Sequence, residues 1–99
     1  MKDTGVIFSV IIPVYNGERF IAAALNSVLG QTFTNYEIVI VNDESPDNSD
    51  EIIKGFIRQH SAIPITYLQQ KNKGLGGARN TAIRNARGSL IALLDQDDL

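Results

Sequence analysis

Hydrophobic positions along the chain fall into four short continuous runs separated by three stretches of helical spacing. Phe8-Ser9-Val10-Ile11-Ile12 is rich in β-branched residues and stops at Pro13, and Glu37-Ile38-Val39-Ile40-Val41 stops at Asn42-Asp43. A weaker run, Ile63 to Leu68, is broken by Pro64, and Leu90-Ile91-Ala92-Leu93-Leu94 stops at Asp95. Runs that are apolar throughout, rather than at alternate positions, predict parallel strands covered on both faces.

The stretches between them carry a helical stripe. Phe20, Ile21, Ala24, Leu25, Val28 and Leu29 recur at i, i+1, i+4, i+5, i+8 and i+9, which puts them on one side of a helix. Ile52, Ile53, Phe56 and Ile57 do the same, and Asn48 with Glu51 three residues later reads as a capping pair that opens that helix. Leu75, Ala78, Ala82, Ile83 and Ala86 form the third stripe, with Gly88 placed to end it. Strands alternating with helices predict stacked right-handed βαβ units. The expected fold is a single α/β domain of three-layer α/β/α Rossmann-like type, with a mostly parallel sheet in the order 3-2-1-4.

Composition narrows the function without naming it. With 99 residues there is room for one domain, and 43% hydrophobic with 20% charged residues is a globular composition. The absence of cysteine removes disulfides, thiolate zinc sites and a cysteine nucleophile. A formal charge of −2 argues against a nucleic-acid-binding surface, which is normally basic. No apolar run approaches the roughly 20 residues that cross a bilayer, and the chain reads as soluble and cytoplasmic.

In open parallel sheets, ligands bind beyond the carboxyl ends of the strands. The residues there are Pro13-Val14-Tyr15-Asn16, Asn42-Asp43-Glu44-Ser45, Gln69-Gln70-Lys71-Asn72-Lys73-Gly74 and Asp95-Gln96-Asp97-Asp98. A tyrosine, several carboxylates and a glycine-rich helix start along one rim can bind a nucleotide. Asp95, Asp97 and Asp98 repel one another unless a cation or hydrogen-bond donors neutralise them. Mg²⁺ or Mn²⁺, held by one or two carboxylates and by substrate phosphates, would do so. The competing reading is a solvated acidic turn, and the place of the cluster directly after a buried strand favours the metal. Asp43 has two open readings: an Asx turn into Ser45-Pro46-Asp47-Asn48, or a carboxylate accepting from a pyrimidine ring N–H. Tyr15 is a base platform or a packed aromatic. Gly74-Leu75-Gly76-Gly77 matches neither Gly-x-Gly-x-x-Gly nor a Walker loop, and reads as glycines that allow a close helix start. Arg79 is the cation expected to reach a base or phosphate, and His60 ends the second helix away from the rim.

Four blocks then resemble glycosyltransferase family 2. They are Ser9 to Asn16 with Ala24 to Thr32, Tyr36 to Ser49, Asn72 to Asn80, and Leu93-Leu94-Asp95-Gln96-Asp97-Asp98. The resemblance implies a GT-A fold of nucleotide-diphospho-sugar transferase type. It also implies transfer of a hexosyl group from a nucleotide-sugar donor, a UDP-sugar, to a saccharide or lipid-linked acceptor, with inversion and with Mn²⁺ or Mg²⁺ on the diphosphate. Carried over, Pro13 and Tyr15 line the base pocket, Asp43 bonds the base, Arg79 lies by the nucleotide, Asp95 faces ribose and metal, and Asp97 ligates the metal. Two departures stand out. The family usually reads Asp-Asp-Gly-Ser where this chain has Asn42-Asp43-Glu44-Ser45, which leaves the shape of that loop open. Family members also continue past the acidic block. Residues 1–99 are therefore read as the donor-nucleotide-binding part of a larger, C-terminally truncated domain, inactive by itself. The general base is expected beyond Leu99, and a homodimer through the fourth strand is expected for the fragment. A nucleotidyltransferase is the alternative enzyme, although Pro13 to Gly17 carries no lysine or arginine. A nucleotide-binding module without activity is the third reading.

Overall fold

The computed structural model describes residues 8–31 and 35–95, with the side chain of Leu75 excepted. Its elements are β1 (Phe8–Val14), α1 (Glu18–Leu29), β2 (Tyr36–Asn42), α2 (Ser49–Gln59), β3 (Ile65–Gln69), α3 (Gly74–Asn85) and β4 (Leu90–Leu93). The four strands form one parallel sheet in the order β3-β2-β1-β4, as the sequence predicts.

The continuous apolar runs are explained by two cores, one on each face. Val10, Ile12 and Val14 of β1 and Ile38 and Ile40 of β2 point to one face. There they pack with Phe20, Ile21, Ala24, Leu25 and Val28 of α1 and Ile53 and Phe56 of α2. The alternate positions Ile11, Val39 and Val41 meet Ala78, Ala82 and Ala86 on the other face. Successive strand residues point to opposite faces, so a strand between two helix layers must be apolar at every position. The alanines of α3 are small, which lets that helix lie close over β1 and β2.

Several boundaries differ from expectation. The third strand begins at Ile65 rather than Ile63, because Pro64 cannot donate to the ladder and instead accepts from Ile38 N at 2.9 Å. Asn48 stands at the N-cap of α2, but its side chain makes no cap bond. The cap oxygen comes from Asp47, whose Oδ1 accepts from the Ser49 N–H at 3.0 Å and its hydroxyl at 2.6 Å. Helix α3 ends at Asn85 with Ala86 extended, so Gly88 is not its terminator. The Gly88 N–H donates to Ser9 Oγ at 2.7 Å instead. Ile83, placed on the buried stripe from its spacing, is 44% exposed.

At the end of the sheet away from the rim, Glu37 is wholly buried. Its carboxylate accepts from the Ser9 hydroxyl at 2.6 Å, from the Arg87 N–H at 2.5 Å and from Arg87 Nε at 3.2 Å. Burial pushes this carboxyl up. The hydrogen bonds from Ser9 and Arg87, together with the Arg87 charge, outweigh burial and hold it below its ordinary value. This cluster joins β1 and β2 to the turn that delivers β4. Among the described residues β4 is an edge strand, with Leu90, Ile91 and Leu93 exposed. No helix among them is long and apolar enough to cross a membrane.

Candidate nucleotide-binding site

The strand register brings the rim together. Val14 is level with Asn42, and Asn42 with Gln69. One further bond extends each ladder, from Asp43 N to Val14 O at 2.8 Å and from Gln70 N to Asn42 O at 3.0 Å. Tyr15, Asp43 and Gln70 therefore leave three adjacent strands side by side. On the other flank of β1, Leu94 N donates to Ile11 O at 3.0 Å, which carries Asp95 toward the level of Pro13. Of the residues singled out from sequence, Pro13, Tyr15, Asp43 and Asp95 share this rim. Arg79 is exposed on the second turn of α3. Asp97 and Asp98 lie outside the described residues. His60 ends α2 at the opposite end of the sheet, its ring 4.3 Å from that of Phe56.

The carboxylate of Asp43 is fully buried and its oxygens are heavily used. Oδ1 accepts from Gln70 Nε2 at 2.9 Å and from Lys73 N at 2.9 Å, and Oδ2 accepts from Lys73 N at 3.1 Å and Gly74 N at 2.8 Å. It thus holds the first N–H groups of α3, donors that have no partner inside the helix. The glycines there have separate causes. Gly74 has φ of +79°, and a Cβ on Gly77 would lie 2.7 Å from Lys73 Cβ, so the helix start closes over itself. The Asx-type contact proposed for Asp43 belongs to its neighbour: Asn42 Oδ1 accepts from Ser45 N at 2.9 Å.

Glu44 settles what the missing turn glycine does. Its φ is 59°, so the left-handed turn is present with a glutamate in it. Glu44 Oε1 accepts from Asn72 N at 3.2 Å, which ties this loop to the start of α3. Left-handed backbone strains a residue with a Cβ, and the exposed Glu44–Asn72 contact offsets little of that. Glu44→Gly is expected to stabilise the domain by up to about 1 kcal/mol, read as a rise in the urea unfolding midpoint.

The turn after β1 is latched to the loop after β2. Asn16 N donates to Ser45 Oγ at 3.0 Å, Gly17 N to Ser49 Oγ at 3.1 Å and Glu18 N to Asp47 Oδ2 at 3.0 Å, and Glu18 Oε1 accepts from Asn48 N at 3.1 Å. Burial raises the Asp47 carboxyl, but the Ser49 hydroxyl and the N–H groups of Glu18 and Ser49 bring it below its ordinary value. Beside this latch lies an open cavity of about 420 Å³ lined by Asn16, Glu18, Arg19 and Asp47. Sequence reading passed over Arg19 and treated Arg79 as the cation of the rim. The available signal was position, since Arg19 falls in the first turn of the helix that follows β1.

Comparison with known proteins identifies the family and the fold. Glycosyl transferase family 2 matches residues 9–99. The chain belongs to glycosyltransferase family 2. Glycosyltransferase GlyA of Streptococcus pneumoniae is 44% identical over 90 residues, which is 91% of this chain and 13% of that protein. The crystal structure of S. aureus TarS 1-349 in complex with UDP-GlcNAc superposes with a TM-score of 0.82 at 33% identity, covering 93% of this chain and 27% of TarS 1-349. The mannosyltransferase PcManGT from Pyrobaculum calidifontis, in complex with GDP-Man and Mn²⁺, gives a TM-score of 0.85 at 27% identity, covering 91% of this chain and 27% of PcManGT. The GT-A fold expected from the resemblance is therefore the fold of this family 2 domain. The chain spans well under two thirds of the relatives it matches.

Proposed function

We propose that this chain is the donor-nucleotide-binding part of a metal-dependent, inverting glycosyltransferase that moves a hexosyl group from a UDP-sugar to a saccharide or lipid-linked acceptor. The observation that carries the proposal is the placement of Tyr15, Asp43 and Asp95 at the carboxyl ends of neighbouring strands. Relatives with the same fold are held with UDP-GlcNAc or with GDP-Man and Mn²⁺, and this supports a nucleotide diphosphate at the rim.

In this reading Tyr15 and Pro13 form the face for the base, and Arg79 and Arg19 supply positive charge to the nucleotide. Asp43 accepts the ring N–H of uracil in place of Gln70 Nε2. That donor is the replaceable one, because the other bonds to Asp43 come from backbone N–H groups at the start of α3. The acidic segment fits a hard cation by donor chemistry, since carboxylate oxygens are what Mn²⁺ and Mg²⁺ take. Asp95 and Asp97 would hold the ion together with diphosphate oxygens. When bound, it neutralises the charge of the departing diphosphate.

Calorimetric titration of UDP with and without Mn²⁺ tests the proposal. The expected result is Mn²⁺-enhanced binding, with Asp95→Ala and Asp97→Ala each removing the enhancement while leaving thermal stability unchanged. Absence of UDP binding, or binding indifferent to Mn²⁺ and to both substitutions, would overturn it.

A further inference from the structure

One polar cluster behind the rim is not accounted for by donor binding. Asn42, at the end of β2, is 2% exposed. Its amide is used at both ends: Oδ1 accepts from Ser45 N at 2.9 Å, and Nδ2 donates to the Tyr67 hydroxyl at 3.0 Å. The Tyr67 proton goes elsewhere, to Asp50 Oδ1 at 2.7 Å. Asp50 also accepts from Gln69 Nε2 at 3.1 Å and pairs with Lys54 at 3.0 Å.

These bonds form a directed chain from α2 to the base platform. Lys54 and Gln69 fix Asp50, Asp50 takes the Tyr67 proton, the Tyr67 oxygen accepts from Asn42, and Asn42 holds the Ser45 N–H. Ser45 Oγ then accepts from Asn16 N, while Asp43 N donates to Val14 O on the other side. The peptide groups before and after Tyr15 are thus both held by the segment 43–45. Burial, countered in part by the Asn42 bond and reinforced by Asp50, keeps the Tyr67 hydroxyl well above its ordinary value, so it stays protonated as the chain requires.

We propose that Asn42 is a positioning residue for the Tyr15 platform, and that it must be an amide in this chain because Tyr67 has committed its only proton to Asp50. This rests on the donor-site reading above. An aspartate at position 42 would set two carboxylates against one hydroxyl proton. One of the two contacts to the Tyr67 oxygen would become acceptor against acceptor in a buried place, where an unmade hydrogen bond is most costly. The chain could then close only if the second acid became the amide. With D50N added to N42D, the carboxylate at position 42 would accept the Tyr67 proton and the amide at position 50 would donate to the Tyr67 oxygen. Every bond to that hydroxyl is then kept with its direction reversed, and the exposed Gln69 amide, which donates to the same Asp50 oxygen, turns over to accept from position 50.

The test is a double-mutant cycle of N42D and D50N on this chain, read by UDP affinity and by exchange of the Asn16 and Ser45 amide protons. N42D is expected to weaken UDP binding by about tenfold or more and to speed exchange at Asn16 and Ser45. The double variant N42D/D50N is expected to recover most of both losses, whereas a merely structural role for Asn42 predicts faster exchange throughout the sheet with the UDP affinity of the folded protein unchanged. An N42D protein with unchanged affinity and exchange, or a double variant no better than N42D, would overturn the proposal. If neither variant folds, the wild-type chain decides: protected Asn16 and Ser45 amides support the relay, and unprotected exchange refutes it. If wild-type chain fails to bind UDP, the donor-site reading falls, while the exchange data still decide the relay.

Discussion

Glu37→Ala is expected to destabilise the domain by about 3 kcal/mol, because it leaves several buried hydrogen-bonding groups unpaired and opens a void. The Ser9 hydroxyl loses its acceptor, the Arg87 N–H loses its partner, and the Gly88–Ser9 bond loses the group that orients it. The Arg87 side chain is half exposed and can return to water, so its ion pair contributes little to that figure. For a domain of this size the loss corresponds to a fall in Tm of about 12–24 °C, measurable by thermal or urea unfolding followed by circular dichroism.

The pH dependence of the same group has a definite sign. Its folded-state carboxyl titrates below the ordinary value of 4.5, so the unfolded chain binds the proton more readily. The contribution of Glu37 is fully present above pH 4.5 and is lost as pH falls through the folded-state value. Asp47 and Asp50 are shifted in the same direction and add to the same acid limb. Glu37→Gln keeps the shape and removes the titration, so its stability is expected to fall less steeply with acid than that of the wild type. An equal acid slope in the two proteins would show that Glu37 does not drive it.

Asp43→Ala is expected to lower stability and nucleotide binding together. The first N–H groups of α3 and the Gln70 amide lose their acceptor. Lys73 and Gly74 are exposed enough for water to replace part of it, which sets the cost at about 2 kcal/mol. Binding suffers twice, through the base contact proposed for Asp43 and through the displaced segment 70–74, and UDP affinity is expected to fall by more than about tenfold. The contrast is with Asp95→Ala, which is expected to remove the proposed metal-dependent part of binding and to leave stability unchanged. Unfolding midpoints and calorimetry on the two variants separate the effects, and an Asp43→Ala protein as stable as the wild type would refute the anchoring role.

Much of the architecture was legible in the pattern of apolar residues. Continuous runs at Val10 to Ile12 and Ile38 to Val41 require two covered faces, two covered faces require helices on both sides, and only parallel βαβ units supply them. The rim followed directly, because parallel strands put all their carboxyl ends on one edge. Spacing was less informative where a residue serves a distant contact. Gly88 looks like a helix terminator and is a hydrogen-bond donor to Ser9, 79 positions away along the chain. Asn48 looks like a cap, and the capping oxygen comes from Asp47.

The polar groups behind the site were decided by tertiary structure alone. Asn42, Tyr67 and Asp50 come from two strands and a helix, and nothing in their local sequence says that one hydroxyl proton is shared among them. Asp43 could be read as a turn residue or a base acceptor, yet its carboxylate anchors a helix that begins 31 positions later. Hydrophobic burial is non-directional and leaves a periodic trace in the sequence. A hydrogen bond depends on where its partner arrives, and only the assembled sheet brings the partner there.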